Sequence, residues 1–296
     1  MILVDNRYST DPYINLAIEE YLVRHADCTG KDYLLLYVNE PCIVIGKNQS
    51  IYKEVNFEYL RNARLKLARR ITGGGAVYHD NGNLSFSFIS SFADEKINNY
   101  RHFNQPVVDA LRKAGIPAEM DARNNILCNG KKISGNAQFT DRKNIISHGT
   151  LLLNADLSIL RSCLKENDFP IETRAVGSVR SSVMNIMEVN NQFLSTIDLA
   201  KYLVQELKVN DTWHFSELEW NSIQQLADEK FRTFDWIYGR SPVTIIKREG
   251  LEIKIEDGLV VEISNQQSAI SNIIGLPYQF NSIKTAVGEA MALKIF

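Results

Sequence analysis

Arg69 and Arg70 lead through Ile71 and Thr72 into Gly73, Gly74 and Gly75, and Ala76-Val77-Tyr78-His79-Asp80 follows. Each glycine removes a Cβ, so the backbone can approach a ligand closely and take positive φ. Successive N–H groups in such a loop converge on an anion, and arginine supplies a planar fork for phosphate or carboxylate. Taken alone, the stretch fits two readings, a cradle for a small anionic ligand and a flexible β-turn. It is not a Walker loop, because no Gly-Lys-Ser/Thr follows. A second cationic stretch runs Arg123-Asn124-Asn125-Ile126-Leu127-Cys128-Asn129-Gly130-Lys131-Lys132-Ile133-Ser134-Gly135. Lys131 and Lys132 are neighbours on a strand and point to opposite faces. An inward lysine needs an anionic partner, because an isolated buried charge costs too much. An ordinary edge lysine and a ligand-facing lysine both remain open here. Gly46-Lys47-Asn48-Gln49 ends a strand, as a site lining or as a solvated loop. His148, beside Gly149 and Thr150, reads as a packed hydrogen-bonding residue and not as a base.

The elements that must hold these residues follow from periodicity. Asp11-Pro12 opens a helix, with Asp11 accepting from first-turn N–H groups and Pro12 at the first helical position. Ile14, Ala17, Ile18, Tyr21 and Leu22 form its apolar face, and Glu20 and Arg24 pair outside. Residues 33–38 and 42–45 are apolar runs of strand length with Asn39-Glu40-Pro41 turning between them. Residues 55–65 are expected as a helix, and 66–71 as a strand feeding the glycine loop. Residues 76–78 and 84–89 flank Asp80-Asn81-Gly82-Asn83 and are expected to form a hairpin, since Asn-Gly is a favoured two-residue turn. Leu84, Phe86 and Phe88 alternate with Ser85 and Ser87, which predicts one buried face. A helix over 103–114 precedes a second Asn-Gly hairpin at Asn129-Gly130, and a strand over 145–153 carries His148. Helices are expected over 157–164, 197–207 and 217–230. Composition shifts at Gly239-Arg240-Ser241-Pro242. Beyond it, 243–248, 251–255 and 259–263 form a β-meander, with small helices over 269–274 and 282–293.

The 296 residues suffice for one large domain and a small one. A formal net charge of −2 gives no polybasic face for nucleic acid. The first residues lack a basic region followed by a long apolar core, so no signal peptide is expected, and no apolar run suits a membrane span. Cys28, Cys42, Cys128 and Cys163 are far apart without a CxxC pair, which reads as reduced thiols in a cytoplasmic protein.

Taken in order, Asn15-Leu16-Ala17-Ile18-Glu19-Glu20, Ile45-Gly46-Lys47-Asn48-Gln49, the Arg69–Asp80 stretch, Gly130–Gln138, His148-Gly149-Thr150-Leu151-Leu152 and Ser178-Val179-Arg180 resemble the lipoate–protein ligase A family. The blocks cover most of residues 10 to 240. The resemblance implies an α+β fold of the class II tRNA synthetase and biotin ligase kind, a mixed, largely antiparallel sheet flanked by helices. It implies a catalytic unit over 1–240 that binds lipoate and ATP, and a small α/β accessory unit over 243–296. It further implies activation of lipoate by ATP and magnesium to lipoyl-AMP. The lipoyl group then passes to a lysine of an apo lipoyl domain, on a 2-oxoacid dehydrogenase acyltransferase subunit or on the glycine-cleavage H protein. Lys132 falls on the motif lysine, as a fixed cation between the lipoate carboxylate and the α-phosphate. The residues expected around ATP and lipoyl-AMP are Arg70, Thr72, Gly73, Gly74, Gly75, Val77, Tyr78, His79, Asn124, Lys132, Ser134, Gly135, His148, Gly149 and Thr150.

The chain departs from the pattern at one place. The family usually has Arg-Asn-Asp where this chain has Arg123-Asn124-Asn125. Asn125 is the expected metal position, and an amide brings magnesium no charge. Alternatives therefore stay open: a transferase using preformed lipoyl-AMP or an octanoyl donor, and a non-catalytic lipoate or nucleotide sensor. An amidotransferase would need a reactive cysteine thiolate, and none of the four cysteines has an evident activating base beside it.

Overall fold

Leu84, Phe86 and Phe88 alternate with Ser85 and Ser87 on a strand at the centre of the largest sheet. The computed structural model describes residues 1–164, 169–264 and 270–295. Its strands are β1 (Ile2–Val4), β2 (Tyr33–Tyr37), β3 (Cys42–Ile45), β4 (Lys66–Arg69), β5 (Val77–His79) and β6 (Asn83–Ser91). Then come β7 (Ala118–Met120), β8 (Ile126–Cys128), β9 (Lys131–Ser134), β10 (Asn136–Thr140) and β11 (Asn144–Leu152). The last strands are β12 (Ile171–Thr173), β13 (Asp211–Trp213), β14 (Thr244–Arg248), β15 (Leu251–Glu256) and β16 (Leu259–Ser264). The α-helices are α1 (Pro12–His25), α2 (Ile51–Glu54), α3 (Phe57–Ala63), α4 (Tyr100–Lys113), α5 (Leu157–Cys163), α6 (Thr196–Glu206), α7 (Glu217–Leu226), α8 (Phe280–Val287) and α9 (Glu289–Ile295).

The main sheet has the order β10-β11-β6-β2-β1-β13, antiparallel from β10 to β2 and parallel from β2 to β13. Both faces of β6 are buried. Leu84, Phe86 and Phe88 pack with α4 residues such as Phe103, Val107 and Leu111 in one apolar cluster. The serines turn to the other face, where Ser87 Oγ donates to Glu19 of α1. A three-stranded sheet β4-β3-β5 and an antiparallel sheet β7-β8-β9 are separate from it, and Thr150 N of β11 bonds Gly135 O just after β9 at 3.3 Å. Asp11 caps α1 by accepting from Tyr13 N at 2.9 Å, and Arg24 pairs with Glu20 at 2.6 Å, as the spacing predicts.

The two strands on either side of Asn39-Glu40-Pro41 form as expected, but the hairpin expected across Asn81-Gly82 is absent. The segments around Asn39-Glu40-Pro41 belong to different sheets, β2 to the main one and β3 to the small one. The same holds for β5 and β6 across Asn81-Gly82. That turn exists, with Asn83 N donating to Asp80 O at 3.0 Å. Its glycine answers a close approach and not a turn dihedral. A Cβ on Gly82 would lie 2.0 Å from Asn154 O, and neither Asn81 nor Gly82 has positive φ. The second Asn-Gly forms the predicted hairpin, with Asn129 at φ 49° and Gly130 at φ 73° joining β8 to β9.

The expected helix over 55–65 is present but shorter, as α3 over Phe57–Ala63, because Asn56 caps it by accepting from Tyr59 N at 3.0 Å; the one-turn α2 precedes it. The 282–293 helix is split, between α8 and α9 at Gly288 with φ 81°. In place of a 269–274 helix there is one short turn over Ser271–Ile273, and residue 269 lies outside the described residues. The β-meander β14-β15-β16 is present, and β12 pairs with β14 to make it four-stranded. Its inner face shares an apolar cluster with Ile43, Ile45 and Tyr52. Among the described residues no helix is long and apolar enough to cross a membrane.

Candidate active site

Arg69 and Arg70, adjacent at the end of β4, point to opposite sides and do different work. Arg69 is fully buried and donates to Ile237 O at 2.7 Å, Gln49 O at 2.8 Å, Gly46 O at 3.0 Å and Ser241 Oγ at 2.9 Å. It is an internal clamp, and burial pulls its guanidinium down to about 10. Arg70 turns into the glycine loop. It donates to Thr72 Oγ1 at 2.9 Å, Gly73 O at 2.6 Å, Gly75 O at 2.8 Å and Val44 O at 3.2 Å. A trans peptide sets each carbonyl opposite the next N–H. Drawing Gly73 O and Gly75 O onto Arg70 therefore turns the N–H groups of Gly74 and Ala76 the other way. Ala76 N donates to Ser178 Oγ at 2.9 Å, whereas Gly74 N–H has no acceptor among the described residues. The loop carries a free donor, held by a cation that binds its carbonyls from behind.

Lys132 sits on β9 with its neighbour Lys131 exposed on the opposite face. The backbone of Lys132 is fixed on both sides, N to Ser182 O at 2.9 Å and O from Met184 N at 3.1 Å. Its ammonium has no hydrogen bond and no ion pair among the described residues. Burial lowers its pKa, Asp121 opposes that, and Arg70 and Arg123 add to it. Gly135 leaves room for it, since a Cβ there would lie 2.9 Å from Lys132 Nζ. Of the two readings the sequence left open, the structure has Lys132 turned inward to line both cavities, with no ion pair among the described residues.

Two cavities meet at Lys132. The first, about 310 Å³, has a buried floor of Leu16, Tyr37, Val44, His79 and Ala137 and a mouth at Gly74, Gly75, Arg123, Val176 and Val179. The second, about 610 Å³, is lined by Lys53, Glu54, Tyr78, Ser134, Arg161 and Leu164 among others. Lys132, Gly135, Thr150, Val77, Ala76 and Ser178 line both. Of the residues singled out by sequence, Arg70, Gly74, Gly75, Val77, His79, Asn125, Lys132, Gly135, His148, Gly149 and Thr150 line the first cavity. Tyr78 and Ser134 line the second. Thr72, Gly73 and Asn124 line neither. Thr72 and Gly73 bond Arg70, and Asn124 O accepts from Asn136 Nδ2 at 2.8 Å. His79 lies on the apolar floor of the first cavity. Its Nδ1 faces Asn39 Nδ2 at 2.9 Å, and burial followed by the charge of Arg70 pushes it down to about 3, so the ring is neutral.

His148 is a buried hydrogen-bonding residue, as its setting in the sequence suggests. Its Nδ1 lies 2.9 Å from Glu19 Oε1 and its Nε2 lies 2.8 Å from Thr72 Oγ1. Glu19 is fully buried and also accepts from Tyr37 OH at 3.0 Å and from Ser87 Oγ. Sequence reasoning treated α1 as a packing helix and missed Glu19. The signal available was an acidic residue on the apolar side of that helix. It also left Ser178 out of the site. Ser178 Oγ donates to Glu54 Oε2 and accepts from Gln49 Nε2 at 3.1 Å, which straps residues 174–181 across the glycine loop.

Asn125 donates from Nδ2 to Asp121 Oδ2 at 2.8 Å and from N to Asp121 Oδ1 at 2.8 Å. Its Oδ1 has no partner among the described residues. No group of three His, Cys, Asp or Glu side chains suited to a metal occurs among them. The fit to magnesium is thus one neutral oxygen, not a carboxylate cage. All four cysteines are free and buried, and burial raises each thiol, Cys28 to about 11 and Cys163 to about 12. None has its thiol pushed toward the thiolate, which argues against an amidotransferase.

A family described as the lipoyl protein ligase A/B catalytic domain matches residues 11–208, a span that holds every residue lining the two cavities. The chain belongs to the lipoyl protein ligase A/B family. Within the range of lipoyl protein ligases, a lipoate-protein ligase of Bacillus subtilis (strain 168) is 42% identical over 248 residues, 82% of this chain and 75% of that protein. Lipoate–protein ligase 1 of Staphylococcus aureus (strain Mu50) is 39% identical over 264 residues, 88% and 79% of the two. A solved lipoate-protein ligase A bound with ATP matches with a TM-score of 0.67 at 27% identity, covering 81% of this chain and 98% of that one. The T. acidophilum protein Ta0514 with bound lipoic acid matches with the same TM-score, identity and coverage. The α+β fold with a mixed, largely antiparallel sheet, expected of a lipoyl protein ligase, is the fold observed.

Proposed function

We propose that the chain activates lipoate with ATP to lipoyl-AMP and passes the lipoyl group to a lysine of a lipoyl domain. Lys132 carries this reading, as an unpaired ammonium where an apolar-floored cavity meets a larger, cation-bearing one. The carboxylate of lipoate must attack the α-phosphate of ATP, and two anions repel. Catalysis is then mostly positioning and charge neutralisation. The floor at Leu16, Val44 and Ala137 takes the dithiolane tail, and the second cavity takes the nucleotide against Tyr78, Ser134 and Thr150. Lys132 and the N–H of Gly74 hold the oxygens between them. Attack forms the mixed anhydride and releases pyrophosphate. The acceptor amine then attacks the acyl carbon and releases AMP. Support comes from solved relatives that carry ATP in one case and lipoic acid in another.

Magnesium would supply charge neutralisation on the phosphates. Asn125 Oδ1 is the protein oxygen that could hold it, with phosphate and water as the other ligands. One solved relative is described together with its E2 lipoyl domain. On that support the acceptors proposed are lipoyl domains of 2-oxoacid dehydrogenase acyltransferase subunits, with the glycine-cleavage H protein added on the family resemblance alone. Both cavities are lined by residues before 184, so residues 1–240 serve as the catalytic unit and 243–296 as the accessory unit. The four free cysteines favour the cytoplasm.

A second reading has one observation in its favour. The amide of Asn125 is locked onto Asp121, which suits a transferase that uses preformed lipoyl-AMP. The experiment is a mass measurement on an apo lipoyl domain after incubation with the chain, lipoate, ATP and magnesium. A lipoyl mass gain is the expected result. Gain only when lipoyl-AMP replaces lipoate and ATP would favour the transferase, and gain in neither case would refute both.

A further inference from the structure

Glu19, His148 and Thr72 form one buried chain of hydrogen bonds that ends on Arg70, and its polarity follows atom by atom. Glu19 is held below the usual carboxylate range. Burial alone would raise it, and the His148 ring with the bonds from His148, Ser87 and Tyr37 outweighs burial. An ionised carboxylate only accepts, so His148 Nδ1 carries the proton that faces it. At the other end a guanidinium only donates, so Thr72 Oγ1 accepts from Arg70 Nε at 2.9 Å. The single hydrogen of Thr72 then has one place to go, His148 Nε2 at 2.8 Å. Each polar atom along the chain has a partner at hydrogen-bond distance.

We infer that Glu19 is a positioning residue for adenylate formation: through His148 and Thr72 it fixes Arg70, and Arg70 turns the N–H of Gly74 into the cavity beside Lys132. The inference rests on the reading of the glycine loop as a holder of the reacting oxygens. The reason is geometric. Arg70 lies over Gly73 O and Gly75 O, and those two carbonyls set the direction of the next N–H groups. Replacing Glu19 by an amide removes the charge that holds the ring proton on Nδ1, and its NH2 at the Oε2 position, 3.0 Å from Nδ1, favours the tautomer with the proton on Nε2. That N–H and Arg70 Nε would then both point at Thr72 Oγ1, whose own hydrogen would have no partner. Arg70 then loses the Thr72 bond while keeping those to Gly73 O, Gly75 O and Val44 O, so the loop is held less firmly.

Two readouts test this. Long-range proton–nitrogen correlation spectra report the His148 tautomer whether or not the protein is active. The parent should show the proton on Nδ1, and Glu19→Gln should move it to Nε2. A parent ring protonated on Nε2 alone overturns the inference. The second readout is lipoate-dependent pyrophosphate release. Glu19→Gln and Thr72→Val should each lower kcat/KM about tenfold or more, and the double variant should be no worse than the worse single, because both break one chain. Thr72→Ser, which keeps the hydroxyl, should recover most of the Thr72→Val loss. Losses that multiply in the double variant, or no recovery with serine, would show separate packing roles. If Glu19→Gln does not fold, the parent tautomer and the Thr72 pair still decide. A parent that releases no pyrophosphate with lipoate would count against the proposed function, and the tautomer would still judge the chain.

Discussion

Lys132 is a desolvated cation with no counter-ion among the described residues, and that condition separates its role in chemistry from its role in folding. Burial disfavours the ammonium, and no bond of its side chain holds the fold together. Lys132→Ala should therefore melt at or above the parent temperature and lose adenylate formation at least about a hundredfold. Scanning calorimetry beside a pyrophosphate assay checks both halves, and a variant as fast as the parent removes Lys132 from the chemistry. Gly135→Ala tests the same point without touching the charge. Its Cβ would meet the flexible end of Lys132 at 2.9 Å, so activity should fall severalfold with little change in melting. Glu19 sets a pH dependence. Its folded pKa lies below the ordinary 4.5, so its contribution to stability is present above that value and is lost as pH falls through the lower folded value. Melting temperatures measured from pH 6 to pH 3 should drop on the acid side in the parent and drop less in Glu19→Gln. At this scale much was legible in the sequence. Lysine and glycine types at strand positions marked the stretch, and the family resemblance singled out Lys132 within it. Glu19 was not legible, because its partners come from β2, β6 and β11, far away in the chain.

The two Asn-Gly pairs show what local sequence can and cannot decide about elements. Asn129-Gly130 takes positive φ at both residues and makes the hairpin that presents Lys132. Asn81-Gly82 takes neither, and its glycine admits the carbonyl of Asn154 instead. A glycine required by its own dihedral and one required by a distant neighbour look alike in a sequence. Gly149 is of the second kind. A Cβ there would stand 2.1 Å from Asn136 Oδ1 and 2.6 Å from the Phe86 ring, between β10 and β6. Gly149→Ala should cost roughly 1–3 kcal/mol of stability, as overpacking does. Urea denaturation checks this, and an unchanged midpoint would mean that the strands separate more easily than the structure implies. The apolar periodicity of α1 and of β3 predicted those elements well, since each buries a face against a core that tolerates little else.

Across the whole molecule, the final 50-odd residues are bound into the part that holds the cavities. β12 leaves the cavity region to pair with β14, and Arg69 bonds Ser241 while gripping the 46–49 loop. Ile43, Ile45 and Tyr52 share an apolar cluster with Ile246, Ile253 and Val260. A chain ending at residue 240 would expose that cluster and leave Arg69 short of an acceptor. It should be insoluble or melt well below the parent, and a fragment with the parent melting temperature would contradict this coupling. The composition shift near residue 240 marked the start of the meander, while the strand that β12 adds to it was invisible, being three residues long with no periodicity to read. The central claim is that one chain joins lipoate to AMP at Lys132. Its most direct test is pyrophosphate release from ATP and magnesium with no acceptor protein present. Release that requires lipoate and disappears in Lys132→Ala is the predicted result, and no lipoate-dependent release from the parent would contradict it.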